Sequence, residues 1–509
     1  MQEYETTVGL EIHIQLKTKS KMFCPSDNHS VDAEPNTNVC PVCMGFPGTL
    51  PVPNRQAIEW TILLGLALGA EIPEEFNFER KNYFYPDLPK AYQISSATNP
   101  PVIGGSLRIN IDSRLRGNDK EGSGNDKEGS GNGKEGVREK EIHLHHIHLE
   151  EDAGKLVHDK SDNALVDLNR AGTPLIEIVT EPEMSSAEEA KLFAQNLRSL
   201  VRHLGISDAN MEQGNMRFDI NVSVRKKGAK EMGTKVEVKN LNSFKMLEKA
   251  IQFEEQRQKE LLEEGKKIAQ ETRGWDDNKG KTLPQRSKEE AQDYRYFPEP
   301  DIPPISTKEF VAKMKDQLPE LPQEKAKRFE GEYGFDKRAA ESLADDIELA
   351  NYFEKTLEHI EKAALDSYDK KIYAKKLLSW MMELTAKIKE SGIEFSEIKV
   401  EPENMAELII SIEKGTISGK QAKDVFAEMF ETGKGAFGII EEKGMKQITD
   451  TGEIESIIQE VLDANPKVVE EYKSGKVNVF GFFVGQVMLR TKGQANPKAV
   501  NEVLREKLK

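Results

Sequence analysis

The stretch Val8-Gly-Leu-Glu-Ile-His-Ile-Gln-Leu16 alternates strictly. Val8, Leu10, Ile12, Ile14 and Leu16 face one way, while Glu11, His13 and Gln15 face the other. A period of two demands a strand with one apolar and one polar face. Arg217-Phe-Asp-Ile-Asn-Val-Ser223 repeats the pattern and sets Arg217, Asp219, Asn221 and Ser223 opposite Phe218, Ile220 and Val222. Ile176-Glu-Ile-Val179 places Glu177 inside an apolar strand, and His148-Leu-Glu-Glu-Asp-Ala-Gly-Lys155 ends a strand in three carboxylates before a glycine turn. A carboxylate held in a sheet is costly unless it is paired or bound to a cation. Acids and one histidine on a shared polar face therefore suit Mg²⁺, because hard cations take oxygen ligands. The same pattern suits an antiparallel sheet whose polar face simply meets water. The pattern leaves both readings open.

Around these strands the chain divides by composition. Asn54 can cap a helix that runs to Gly69, and Ser185 or Ser186 can cap another that ends at Gly205. A charged helix is expected from Ser243 to about Glu264. The run Pro298-Glu-Pro-Asp-Ile-Pro-Pro304 reads as a linker. Helical periodicity dominates from 307 to 509, with a second break near Pro402. A length of 509 residues also implies about three domains. The expected division is 1–297, 298–402 and 403–509. Within the first, residues 117–136 repeat Gly-Asn-Asp-Lys-Glu-Gly-Ser with no apolar residue. Such a segment cannot offset its ordering entropy by burial, so a disordered loop is expected between antiparallel strands at Ser106–Ile111 and Glu141–Leu149.

The formal net charge of −16 disfavours a polyphosphate partner unless a basic patch is set apart from the acids. Residues 473–509 supply one, with eight cations against two acids. The richest apolar run, Thr61–Ala70, is far short of the ~20 residues that span a bilayer. The N-terminus has neither signal- nor transit-peptide character. Three cysteines in so long a chain fit a reducing compartment, and a soluble cytoplasmic protein is expected. Cys24, Cys40 and Cys43 have knuckle-like spacing, but zinc wants four ligands and Ser26 stands where a fourth cysteine would fit. Zinc and three reduced, buried thiols both remain open. Four histidines fall at 143, 145, 146 and 148, and alternation puts the first two on one face and the last two on the other. Tyrosines and cations interleave in Arg80–Tyr92 and Tyr294–Asp301, as in surfaces that stack on a nucleotide or an RNA end, or as in half-buried turns. No Walker-type phosphate loop and no dinucleotide fingerprint occurs.

The ordered set Val8–Leu16, Pro35-Asn-Thr, Phe46-Pro-Gly, Arg80-Lys-Asn-Tyr-Phe-Tyr-Pro-Asp, Pro89-Lys-Ala-Tyr-Gln-Ile-Ser, His148–Lys155, Asp167-Leu-Asn-Arg-Ala-Gly-Thr-Pro-Leu-Ile-Glu, Lys239-Asn-Leu-Asn-Ser-Phe and Tyr294–Asp301 closely resembles one family. It is the B subunit of heterotrimeric glutamyl/aspartyl-tRNA amidotransferases. Phe482-Phe-Val-Gly-Gln-Val-Met and Lys492-Gly-Gln-Ala-Asn-Pro resemble its tail, so the likeness covers all but the repeat. The resemblance implies an α+β chain: a cradle domain with an antiparallel sheet, similar to glutamine synthetase, then all-α helical and tail domains. It implies ATP- and Mg²⁺-dependent phosphorylation of the side-chain carboxylate on Glu-tRNA(Gln) or Asp-tRNA(Asn). Ammonia released by the A subunit then displaces phosphate, and a small C subunit completes the heterotrimer. The tail would grip the tRNA. By the same resemblance Glu11, His13, Glu151, Glu177 and Asp219 hold the metal, with Glu150 as an alternative neighbour. Lys81, Tyr83, Lys90, Asn169 and Arg217 contact the nucleotide or the aminoacyl end. Zinc-binding members show a Cys-x-Cys ahead of the Cys-x-x-Cys pair, which Ser26 breaks here.

Overall fold

The alternating first strand, Tyr4–Gln15, lies inside a twelve-stranded sheet in the computed structural model. The structure describes residues 3–30, 32–112, 137–158, 163–287, 293–364, 368–445, 451–491, 495 and 497–508. The repeat at 117–136, and the loop expected there, lie outside these residues. The first strand pairs antiparallel with Pro174–Thr180 on one side and Met216–Lys226 on the other. Beyond Pro174–Thr180 come Val137–Glu151, Tyr92–Ser95, Glu79–Asn82 and the edge strand Phe297–Pro298. Beyond Met216–Lys226 come Val236–Leu241, Glu271–Asp276 and Lys281–Ser287. Ser106–Asp112 pairs antiparallel with the Val137–Glu151 strand, as the flanks of the repeat predict.

Alternation sends Leu10, Ile12 and Ile14 into a core shared with Ile62, Phe193, Leu197, Leu247 and Ile251. These last five lie on the helices Arg55–Ala67, Ala187–His203 and Phe244–Glu263. The caps follow the sequence. Asn54 accepts from the Gln56 and Ala57 amides, and Ser243 accepts from the Met246 amide. Ser186 accepts from the Glu189 amide, while Glu189 reaches back to the Ser185 amide. Removing one such cap, by Ser186→Ala, is expected to cost ~1 kcal/mol in urea unfolding of the whole chain.

Three features were not legible in the pattern. Val236–Leu241 and Glu271–Asp276 run parallel, which the helix Phe244–Glu263 between them makes possible. Glu271–Asp276 also forms a hairpin with Lys281–Ser287, turned at Gly280 with φ +60°. The third feature corrects the histidine faces. A β-bulge breaks the register of Val137–Glu151 against Pro174–Thr180 between Val179 and Thr180, leaving His145 unpaired between Leu144 and His146. Ile142 and Leu144 before it, and Ile147 and Leu149 after it, are all buried. All four histidines therefore stand on the side away from those apolar residues.

The chain forms two compact units, Met1–Leu321 and Pro322–Lys509. Past Pro298–Pro304 the first unit continues: Ile305–Ser306 pairs with Glu75–Phe76, and the helix Lys308–Gln317 adds Met314 to the core. The second unit runs as helices from Pro322–Tyr333 to Pro497–Lys507. One of its apolar clusters gathers Phe329, Phe353, Leu377 and Phe426, and another gathers Ile458, Phe483, Val487 and Leu504. Among the described residues no helix is long and apolar enough to cross a membrane.

Candidate active site

Register builds the site. His148 lies opposite Glu177, Glu177 opposite His13, and His13 opposite Arg217, a row across four strands on the polar face. Glu150 shares that face with His148, two residues along the same strand. The Glu177 carboxylate stands 3.3 Å from His13 Nε2 and 3.3 Å from His148 Nε2. Glu150 approaches His13 Nε2 at 3.9 Å and His148 Nε2 at 3.6 Å. Ligand atoms of His13, Glu150 and Glu177 all lie within 4.8 Å of one another.

Charge is concentrated here. Burial works against a proton on His148, yet the carboxylates of Glu150 and Glu177 raise its pKa to about 9. Burial also opposes a proton on His13, and Glu177, Glu150 and Asp219 again win, so its pKa rises. Glu177 is the counterpart: burial would lift its pKa, but the two imidazoles hold it well below the usual carboxylate range. Glu150 Oε2 is buried and accepts no hydrogen bond. An orphaned buried carboxylate oxygen beside a second carboxylate and an imidazole is the chemistry expected of a divalent-cation site. With His13 neutral, as ligation requires, the donor set fits Mg²⁺.

Glu151 is elsewhere. As the neighbour of Glu150 it points through the opposite face, where its Oε1 accepts from the Ile94 amide at 3.0 Å and pairs with Lys90 Nζ. It does not join His13 and Glu177. Asp219 and Glu11 form the adjoining row, opposite each other across two strands. Asp219 pairs with Lys239 Nζ at 2.9 Å, and Glu11 accepts from Asn221 at 2.9 Å. Burial, then the charge of Glu177, raises the Glu11 pKa. Arg217 is held by Asp152 at 2.9 Å, and its Nε is buried without an acceptor. Lys81 is half-buried, which works against its charge, but the charges of Glu150 and Glu177 raise its pKa. The Tyr83 ring meets Tyr294 edge to face at 6.0 Å. Asn169 spends its amide on the backbone of Glu34 and Asn38, outside the cluster.

Sequence reasoning passed over His148, Asp152 and Lys239. Parity along the strand carried the signal for the first two: His148, Glu150 and Asp152 alternate with Leu149 and Glu151. Lys239 opened one of the motifs that carry the family resemblance, but nothing local set it against Asp219.

The thiols of Cys24, Cys40 and Cys43 also converge within 4.8 Å. The fourth direction holds no thiol. Lys21, only 1% exposed, puts its Nζ 3.7 Å from Cys43 Sγ, and Ser26 Oγ stands 3.9 Å from the same sulfur. The hydrogen bond from Cys24, then that from the Cys40 amide and the Lys21 charge, outweigh burial and lower the Cys43 pKa to about 4. A lysine ammonium cannot ligate zinc, so the set does not make a closed four-ligand site. Metal analysis of the purified protein is expected to find substoichiometric zinc, with thermal unfolding unmoved by a chelator. One tightly held zinc per chain would refute this.

Known proteins resemble this chain along its length. The GatB/GatE catalytic domain matches residues 6–313, and the GatB domain matches residues 352–508. A Persephonella marina protein is 47% identical over all of both chains. One from Carboxydothermus hydrogenoformans is 46% identical over 100% of this chain and 99% of its own. A third, from Crocosphaera subtropica, is 47% identical over 99% and 98%. Each of the three is named as the B subunit of an aspartyl/glutamyl-tRNA(Asn/Gln) amidotransferase. With both domains matched and near-half identity sustained along the whole length, the chain belongs to the family of amidotransferase B subunits.

Proposed function

We propose that this chain activates the side-chain carboxylate of glutamate, or aspartate, carried on tRNA(Gln) or tRNA(Asn). The observation that carries the proposal is the orphaned Glu150 oxygen beside His13 and Glu177. A carboxylate is a poor electrophile, and transfer of a phosphoryl group from ATP turns one of its oxygens into a leaving group. Such transfer needs positioning and charge neutralisation more than covalent help. His13, Glu150 and Glu177 would hold Mg²⁺, with Glu11 and Asp219 in the neighbouring row; when bound, the ion supplies charge neutralisation to the phosphates. Arg217 is oriented by Asp152 and keeps its Nε for the substrate carboxylate or a phosphate. Lys81 adds a second fixed cation beside the acids. Ammonia then displaces phosphate and leaves the amide.

The same proposal puts the chain in a heterotrimer with a glutaminase A subunit, which would supply the ammonia, and a C subunit. The mixed-strand sheet with acids on its polar face is consistent with a cradle of the glutamine-synthetase kind. The catalytic domain, expected over 1–297, is taken to run to Leu321, where the first compact unit ends; the helical and tail parts expected over 298–402 and 403–509 share an apolar cluster in which Phe426 joins Phe329 and Phe353. In the tail, Lys473, Arg505 and Lys507 are exposed, while Lys476 and Arg490 pair with Glu471 and Glu460. The free thiols suit the cytoplasm.

The test combines purified A, B and C subunits with Glu-tRNA(Gln), ATP, Mg²⁺ and glutamine. Gln-tRNA and tRNA-dependent ATP cleavage are expected. Absence of both would overturn the proposal.

A further inference from the structure

At the edge of the sheet, one strand beyond Glu79–Asn82, the segment leading into Phe297–Pro298 is held down backbone to side chain. The Asn82 amide donates to Tyr294 O at 2.9 Å, and Asn82 Nδ2 donates to Arg295 O at 2.8 Å. Between the two tyrosines Arg295 adopts φ +44°, a left-handed conformation that disfavours a non-glycine residue. The rings of Tyr83, Tyr294 and Tyr296 stand edge to face, with centroids 6.0 and 6.1 Å apart. Tyr296 stays 43% exposed and Phe297 44% exposed. The Lys81 ammonium sits 5.1 Å from the Tyr294 centroid, and the same ammonium lies in the field of Glu150 and Glu177. Exposed rings held by a strained turn, next to a cation that leans on the acid centre, serve no core.

We infer that Tyr294 and Tyr296, backed by Tyr83, form a stacking site for a nucleobase whose phosphate faces Lys81. A base presents a π-face to an aromatic ring whatever its edge, so stacking holds it without reading its sequence. Lys81 lies against the Tyr294 ring, so its ammonium is at hand for a phosphate attached to the stacked nucleoside. The inference rests on the proposed function, whose two large substrates each bring a base: the adenine of ATP and the terminal base of the tRNA.

The experiment measures KM and kcat for ATP and for Glu-tRNA(Gln) with the assembled three-subunit enzyme. Tyr294→Leu and Tyr296→Leu are each expected to raise one of the two KM values about tenfold, the low end of the stacking range, with kcat nearly unchanged. A rise confined to ATP assigns the base to ATP, and a rise confined to Glu-tRNA assigns it to the RNA end. Tyr294→Phe keeps the ring and is expected to restore the wild-type KM. Inhibition by inorganic tripolyphosphate, which has phosphates and no base, is expected to be the same in all variants. The inference is overturned if both KM values stay at wild type, if Tyr294→Phe is as impaired as Tyr294→Leu, or if tripolyphosphate inhibition weakens in parallel. A wild-type complex that cleaves no ATP refutes the proposed function itself, and this inference with it.

Discussion

Glu150→Ala is expected to lower tRNA-dependent ATP cleavage by roughly 10²–10³-fold, the size of a lost electrostatic stabiliser, without loss of thermal stability. Glu151→Ala, one residue along, is expected to lose stability first. The two neighbours differ because a strand sends them through opposite faces. Glu150 Oε2 accepts no hydrogen bond and lies beside Glu177, so the folded chain gains little from it. Removing it relieves repulsion with Glu177 and lets His13 and His148, whose protons it favours, go neutral, so the fold loses little and the cost falls mainly on function. Glu151 pairs with Lys90, whose side chain is 11% exposed, and satisfies the Ile94 amide. Truncating it leaves a buried ammonium unpaired and an N–H unmet, a change worth ~3–5 kcal/mol. Urea unfolding and ATP cleavage on both variants separate the roles. A stable, inactive Glu151→Ala together with an unfolded Glu150→Ala would exchange the assignments.

That contrast also marks what the sequence could say. Period-two alternation located the first strand and the Arg217–Ser223 strand because each buries one face, and burial fixes register. The cap at Asn54, the choice of Ser185 or Ser186, and the helix start at Ser243 were readable because the preference is local and chemical. The bulge at His145 was not. It depends on how two strands pair, and a one-residue offset moves a whole set of side chains to another face. The identity of the third acid in the cluster turned on parity within Glu150-Glu151, which the alternation from Leu149 already contained. Lys239 beside Asp219, and Lys21 beside Cys43, were invisible for a different reason. Each joins a partner about 20 residues away through a contact that only the tertiary fold creates.

Asp152→Asn is expected to destabilise the first unit by ~2–4 kcal/mol at pH 7 and to weaken substrate binding together with it. Asp152 is 5% exposed and carries Arg217 at 2.9 Å, Arg170 at 3.7 Å and the Gln15 amide at 2.8 Å. The figure lies below the ~3–5 kcal/mol of a fully buried pair, because the guanidinium side chains keep 34% and 31% of their surface in solvent, where charge is screened. Burial opposes ionisation of Asp152, but Arg217 and then Arg170 overcome it and lower its pKa. The sign of the pH effect follows. A carboxyl with a depressed folded pKa stabilises fully above its unfolded value of ~3.9, and that stability is lost as pH falls through the lower folded value. Wild type and Asp152→Asn should therefore differ by a constant amount at neutral pH and converge in acid, as the wild-type carboxylate takes up its proton. Urea unfolding from pH 7 downward checks this. A gap that widened in acid would mean that Asp152 is protonated in the folded chain, and that some other group fixes Arg217 for the substrate.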